Sequence, residues 1–237
     1  MKVRNAVLLA GGTGSRIQPL TSLFQKHLIP IHNKFLIDYP LTTLQNLEIE
    51  NTTIVMGGDH FDQIVAHVKD GSKYNMSVNY VYQEKAIGIA QGINLCKNFI
   101  KDDFVVILGD NIFDEPVRFK DSDKAQILLY KHKELQRFGV ASIKNDKIVK
   151  IEEKPKTLSK KFENYAISGC YKFDQQYFEY FKDLKPSARN EYEITDIIQR
   201  YNENNNLDYW IYMDQWLDCG TFNSINFANN YFYERDK

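Results

Sequence analysis

An apolar run, Val7 to Leu9, feeds straight into three glycines, Gly11, Gly12 and Gly14. This junction constrains the chain more than any other stretch. Ser15 and Arg16 follow, then Pro19, and Lys26 lies ten residues beyond the arginine. Glycines just after a strand let the backbone approach a ligand closely and turn several N–H donors inward, which is how a loop holds phosphate. A guanidinium and an ammonium beside the loop supply fixed positive charge for phosphate oxygens. Two commoner motifs are excluded. A P-loop needs Gly-Lys-Ser/Thr after its spacer, and no such tripeptide is here. The dinucleotide fingerprint needs a third glycine three places after the second, and that place holds Ile17. What remains is a phosphate loop of another kind, or, as the plainer reading, a tight turn whose glycines only serve strand geometry.

At 237 residues the chain fits one large α/β domain or two small ones. A net charge of −1 argues against a general nucleic-acid binder, so any anion site must be local. No apolar run approaches the roughly 20 residues of a membrane span. The N-terminus has a basic start and a short apolar run but no signal-peptide cleavage site. Cys96, Cys170 and Cys219 are odd in number, far apart and without a CxxC pair, which suggests reduced thiols in a cytosolic setting.

The periodicity predicts a buried strand over Val3 to Leu9 and a helix over Leu36 to Leu47, with Pro40 tolerable only in its first turn. Thr52 to Met56 reads as a strand. Asp59 is placed to cap a helix bearing Phe61, Ile64, Val65 and Val68, with Gly71 ending it. Val78 to Tyr82 is the next strand. Ile89, Ile93, Cys96 and Ile100 mark a helix face, and Asp103 to Leu108 is again a strand. This β-α-β-α-β-α-β order predicts a parallel sheet with helical crossovers. Ala125 to Tyr130, Gly139 to Ile143, Lys147 to Glu152 and Tyr165 to Phe173 are strand-like, which predicts a mixed sheet extension. Ile194, Ile197, Ile198 and Tyr201 form a helical stripe. Trp210 to Asp218 alternates, and a last helix over about Phe222 to Tyr233 presents Ile225, Phe227, Ala228 and Tyr231.

Several short pieces suit chemistry, each with a plainer reading beside it. Gln83, between a strand and a helix, can donate and accept together at a pyrimidine edge, with Gly88 letting the base lie on backbone; a loop glutamine can also simply be solvated. Asp110, after the run Phe104 to Leu108, can present a hard oxygen to Mg²⁺, or Gly109-Asp110-Asn111 can be a turn. Glu153 and Lys154 can meet sugar hydroxyls and a phosphate, or form a surface charge run before Pro155. Glu193 can face a ligand or favour a helix start. Asp218 follows an apolar pair and precedes Cys219-Gly220.

The segment LLAGGTGSRIQPLT, Leu8 to Thr21, followed by QKHLIPIHNKFLIDYPL, resembles the signature of the sugar-1-phosphate nucleotidyltransferases, nearest to their short-form glucose-1-phosphate thymidylyltransferase branch. Six further pieces resemble the family in order. They are Gln83 to Gln91, LGDNIF, the Arg137-Phe138-Gly139-Val140 step, IEEKP, AISGCY and the EYEITD to WLDCGT region. Ala86 stands where the family often has proline, Ser168 stands for threonine, and Cys170 and Cys219 are departures.

The resemblance implies a Rossmann-like α/β fold: a mixed, mostly parallel sheet flanked by helices, with a sugar-binding β extension. It implies a single domain over 1–237, with about 1–115 as nucleotide-binding core and about 116–237 as sugar-binding part and last helix. The nucleotide would lie on Leu9, Gly11, Gly12, Thr13, Gly14, Ser15 and Arg16, with Gln83 and Gly88 at the base. The sugar phosphate would meet Gly139, Glu153, Lys154, Tyr171, Arg189 and Glu193. Asp110 and Asp218 would hold Mg²⁺, and Arg16, Lys26, Asp110, Lys154 and Asp218 would carry the chemistry.

The implied reaction joins dTTP and glucose 1-phosphate into dTDP-glucose and pyrophosphate. UTP or CTP, or another sugar, are the alternatives; a non-catalytic sugar-nucleotide sensor or a dinucleotide protein is less well supported. No general base is required, since a phosphate monoester is already ionised near neutral pH. His27, His32, His60, His67 and His132 then read as structural or surface residues. The resemblance further implies a cytoplasmic homo-oligomer that binds neither nucleic acid nor membrane. The chain reaches only Lys237, ahead of a helical segment that longer members use for regulation, so feedback inhibition through that segment is not expected.

Overall fold

The computed structural model describes residues 3–237. The first half runs β1 (Asn5–Ala10), a small hairpin of β2 (Pro30–Ile31) and β3 (Lys34–Phe35), α1 (Asp38–Asn46), β4 (Asn51–Met56), α2 (Phe61–Val68), β5 (Ser77–Tyr82), α3 (Ile89–Asn94) and β6 (Phe104–Leu108). Strands β6, β1, β4 and β5 pair in that order, all parallel, as the alternating pattern requires. Pro40 lies in the first turn of α1, where its missing N–H costs nothing.

The second half is β7 (Asn111–Phe113), β8 (Ala125–Tyr130), β9 (Gly139–Lys144), β10 (Lys147–Glu153), β11 (Glu163–Phe173), α4 (Gln176–Lys182), α5 (Ile194–Glu203), β12 (Leu207–Ile211), β13 (Trp216–Asp218) and α6 (Phe222–Arg235). The extension does not fold against the core as a separate layer. Long β11 runs antiparallel to β6 and also pairs with β9 and β8, so one nine-stranded mixed sheet joins the two halves. Successive residues of β1 enter opposite cores, as a period of two demands: Ala6, Leu8 and Ala10 on one face, Val7 on the other.

Four local expectations need correction. Asp59 does not cap α2; His60 holds that position without a side-chain cap bond. The helix ends at Lys69 with φ of +57°, two residues before Gly71. The alternation over Trp210 to Asp218 is broken into β12 and β13, which join different sheets. In α6, Phe227 is 54% exposed, and Phe232 takes its place in the core with Ile225 and Ala228. The spacing 225, 228, 232 keeps to one helical face, and 227 does not. Thr221 and Ser224 cap that helix reciprocally.

Candidate active site

Two short strands bring the central carboxylates together. β7 begins directly after Asp110 and pairs antiparallel with β13, whose Asp218 lies opposite Asn111. Gly109 makes the tight exit from β6; a Cβ there would sit 2.9 Å from the Leu9 carbonyl and 2.8 Å from the His27 ring. Asp110 accepts hydrogen bonds from the Lys26 ammonium and, at 2.8 Å, from Asn111 Nδ2. Asn111 Oδ1 in turn accepts from the Gly169 amide at 3.1 Å and the Trp216 indole at 2.8 Å. This buried amide therefore fixes the carboxylate against two other strands. Asp218 Oδ2 accepts from Arg137 Nη2 at 3.0 Å.

The two carboxyls titrate in opposite directions. Burial opposes the charge of Asp110, but Lys26, with smaller help from His27 and Asn111, holds it well below the usual carboxylate range. Burial and the negative charge of Asp110 push Asp218 up to about 6, against Lys26, Arg137 and Arg16. Burial, and then the Lys26 charge beside it, push His27 down to about 3, so it is neutral; of the structural or surface roles expected for the histidines, this buried one is not on the surface.

The glycine loop lies alongside. Gly14 has φ of +66°, and a Cβ on it would meet the Thr21 side chain at 2.6 Å; the Thr21 hydroxyl donates to the Gly14 carbonyl at 2.9 Å. Ser15 opens a single 3-10 turn over Ser15–Ile17, and buried Ile17 anchors it. Arg16 then reaches over Gly220, where its guanidinium would be 2.7 Å from an added Cβ. Nothing lies within 4 Å of a Cβ at Gly12, so that part of the loop faces open space. Gly12 and Thr13 line a crevice with Lys26, Gly57 and Gly58.

Gln83 is buried beside Gly11 and donates to Gln91 Oε1 at 2.6 Å. Leu9 touches the same corner, near Gly92, with its carbonyl accepting from Gly109 N at 2.8 Å. Gly88 has a further reason to be glycine. Its φ is +112°, and a Cβ would lie 2.4 Å from the Tyr192 carbonyl oxygen. Tyr192 N donates to the Ile87 carbonyl at 2.8 Å, and Ala90 N donates to that of Tyr192 at 3.2 Å. The loop of Gln83 and Gly88 is thus laced to the segment carrying Glu193.

On the other wall, Gly139 pairs with Glu153 at the start of β9 and the end of β10. Thr195 Oγ1 donates to Glu153 Oε2 at 3.2 Å. Burial and the nearby Glu193 charge raise the Glu153 carboxyl. Lys154 adopts φ of +42°, a strained value for a residue with a side chain. Its amide donates to the Phe138 carbonyl at 3.0 Å, which fixes the turn. Glu193 holds the N-cap of α5 yet makes no side-chain cap. Its carboxylate is taken by Arg189 Nη2, at 2.9 and 2.8 Å, and by the Ser187 hydroxyl at 2.6 Å. Arg189 also meets Glu153 at 3.2 Å and Glu191 at 3.1 Å.

A cleft of about 250 Å³ unites these walls. Arg16, Asp110, Gly139, Glu153, Lys154, Tyr171 and Asp218 all line it; Leu9, Gly11 to Ser15, Lys26, Gln83, Gly88, Arg189 and Glu193 do not. Sequence reasoning missed Arg137, Asn111, Thr195 and Trp216, which also line it. They stand inside the quoted segments, but only strand pairing shows what they touch.

The donor set fits a hard divalent cation. Two like-charged carboxylates offer hard oxygen ligands in one buried corner, and Mg²⁺ keeps several waters and needs few protein ligands. Among the described residues, no cluster of three or more His, Cys, Asp or Glu could hold a metal. Cys219 is buried and its thiol is pushed up by burial and both aspartates, so it stays neutral.

The family model described as nucleotidyl transferase matches residues 5–235. The chain belongs to the nucleotidyl transferase family. This enzyme is 34% identical over 237 residues to a glucose-1-phosphate thymidylyltransferase of Neisseria meningitidis serogroup A, covering 95% of this chain and 81% of the relative. A Bacillus anthracis protein assigned as a glucose-1-phosphate thymidylyltransferase, crystallised with sucrose, superposes with a TM-score of 0.90 at 40% identity, covering 97% of this chain and 95% of that one. UDP-glucose pyrophosphorylase with UDP-glucose superposes at 0.86 with 22% identity, over 98% and 99% of the two chains, which shows the shared fold. No helix among the described residues is long and apolar enough to cross a membrane.

Proposed function

We propose that this nucleotidyltransferase joins dTTP to glucose 1-phosphate, releasing pyrophosphate and forming dTDP-glucose. The observation that carries this reading is one cleft with two characters. Arg16, Asp110 and Asp218 line one end, next to the glycine loop and Lys26, and Glu153 and Lys154 line the other. Two phosphorylated substrates would meet between them, the triphosphate on the loop side and the sugar on the β9–β10 side. The division of labour follows the chain: about 1–115 for the nucleotide and about 116–237 for the sugar.

Charge decides the chemistry. Both reactants are anions and repel. In this reading Arg16, Lys26 and the loop amides hold the triphosphate and stabilise the leaving pyrophosphate. Lys154 orients the sugar phosphate, and Glu153 accepts from sugar hydroxyls. An oxygen of the sugar phosphate attacks the α-phosphorus in line. The new P–O bond forms as the bond from the α-phosphorus to the bridging oxygen breaks, and pyrophosphate departs with that electron pair. No proton moves, which suits a neutral, buried His27. Asp110 and Asp218 would hold Mg²⁺, which when bound supplies charge neutralisation at the α-phosphate. Three buried free cysteines fit a reducing cytoplasm, the compartment this reading assigns.

The carboxamide of Gln83 offers a donor and an acceptor, which uracil satisfies as well as thymine. The experiment is therefore pyrophosphate release with Mg²⁺, glucose 1-phosphate and each of dTTP, UTP, CTP, ATP and GTP. Fastest release with dTTP, then UTP, supports the reading. Preference for ATP, GTP or CTP overturns the base assignment, and silence with all five overturns glucose 1-phosphate as the acceptor.

A further inference from the structure

We propose that Arg137 is a further ligand of the sugar phosphate, gripping it from the carboxylate side of the cleft while Lys154 grips it from the other. The inference rests on the nucleotidyl-transfer reading above and adds a residue that no part of that reading uses.

Arg137 closes the 3-10 turn Leu135–Arg137 just before β9. The next residue, Phe138, accepts the Lys154 amide at 3.0 Å, and Gly139 pairs with Glu153. Arg137 and Lys154 are therefore held at the same end of adjacent strands. Both line the cleft, and Arg137 also reaches Asp218 Oδ2 at 3.0 Å. Its guanidinium thus bridges the sugar wall and the carboxylate corner. That is where the attacking phosphate must stand for its oxygen to reach an α-phosphorus held by the loop.

The cation count points the same way. The cleft is lined by Arg16, Arg137 and Lys154 against Asp110, Asp218 and Glu153. Arg189, which the family resemblance implies for the sugar phosphate, is engaged by Glu193, Glu153 and Glu191 and does not line the cleft. Arg137 is less tightly engaged. One partner, Glu134 at 2.8 Å, is 63% exposed, and an exposed pair of this kind holds weakly. The other is Asp218, whose charge a divalent cation would share. A guanidinium presents two parallel N–H donors to a phosphate, a fit that a lysine cannot copy. The Phe138 ring centroid lies 5.2 Å from the guanidinium carbon, a cation–π contact that helps to orient it.

The test uses full-length Arg137→Gln and Arg137→Lys. Turnover is measured against glucose 1-phosphate and against dTTP. Glucose 1-phosphate and Mn²⁺ alone are each titrated onto the proteins by calorimetry. The expected result is a rise of about 10- to 100-fold in both KM and Kd for glucose 1-phosphate in the Gln variant, the usual range for losing a charged hydrogen bond. KM for dTTP and Kd for Mn²⁺ should stay within about threefold. Lys should recover part of the loss. An unchanged Kd for glucose 1-phosphate overturns the proposal, as does a loss concentrated in Mn²⁺ or dTTP, which would make Arg137 a positioning residue for Asp218. Failure of the wild type to turn over or bind any sugar phosphate is a distinct result. It would remove the functional reading itself.

Discussion

Asp110 and Asp218 share one corner, and their neighbours shift the two carboxyls in opposite directions. Lys26 and Asn111 keep the first ionised; burial and the first aspartate lift the second. Changing Asp110 to Asn keeps an acceptor for Lys26 but removes a charge, so Asp110→Asn should cut turnover by at least about 100-fold. The thermal midpoint should move by only a few degrees, followed by circular dichroism. Lys154→Ala should raise KM for the sugar phosphate by about 10- to 100-fold, with KM for the nucleotide nearly unchanged; equal rises would move the lysine off the sugar phosphate. By position alone Asp110 read equally as a ligand or as a turn, though its place at the exit of a buried strand was legible. Asn111 and Arg137 were not, because their partners, Trp216, Gly169 and Asp218, are remote in sequence and meet them only through the fold.

Among the elements, the glycines separate into those closely boxed in by neighbouring atoms and those that face open space. Gly88 sits at φ of +112° with the Tyr192 backbone in its Cβ direction. Gly88→Ala should therefore lower the urea midpoint by an amount worth about 2 kcal/mol or more. Gly12→Ala meets nothing within 4 Å and should leave stability within about 0.5 kcal/mol while weakening nucleotide binding. A sequence shows both as glycines in loops and cannot tell them apart.

Helix α1 carries a different constraint. Burial of Asp38 favours its neutral form, but hydrogen bonds from His67, at 2.7 Å, and Tyr74 win and lower its pKa. A carboxyl lowered by folding binds fewer protons in the native state, so its stabilisation is present above the unfolded value near 4 and is lost as pH falls below it toward the folded value. Denaturant titrations from pH 7 to 3 should show that loss, and Asp38→Asn should be weaker at pH 7 with a flatter acid limb. Parallel strands and the apolar stripe of α5 were readable from period alone. The cap of α2 was not, because Asp59 and His60 are both plausible there and only the backbone path chooses.

Across the whole molecule, the near-neutral net charge of −1 is repeated in the cleft, where Arg16, Arg137 and Lys154 face Asp110, Asp218 and Glu153. β11 accounts for this arrangement. By pairing along one edge first with β9 and then with β6, and along the other edge with β8, it sets the Glu153 wall beside the strand that delivers Asp110. Sequence order gave the two halves, but their fusion into one sheet rests on the register of this strand, which periodicity cannot specify. The most direct test of the account is ³¹P NMR of the purified protein mixed with Mg²⁺, dTTP and glucose 1-phosphate. The account predicts that the dTTP and glucose 1-phosphate signals decline together while a pyrophosphate diester and free pyrophosphate rise in equal amounts. Unchanged spectra, or hydrolysis of dTTP with glucose 1-phosphate left intact, would contradict it.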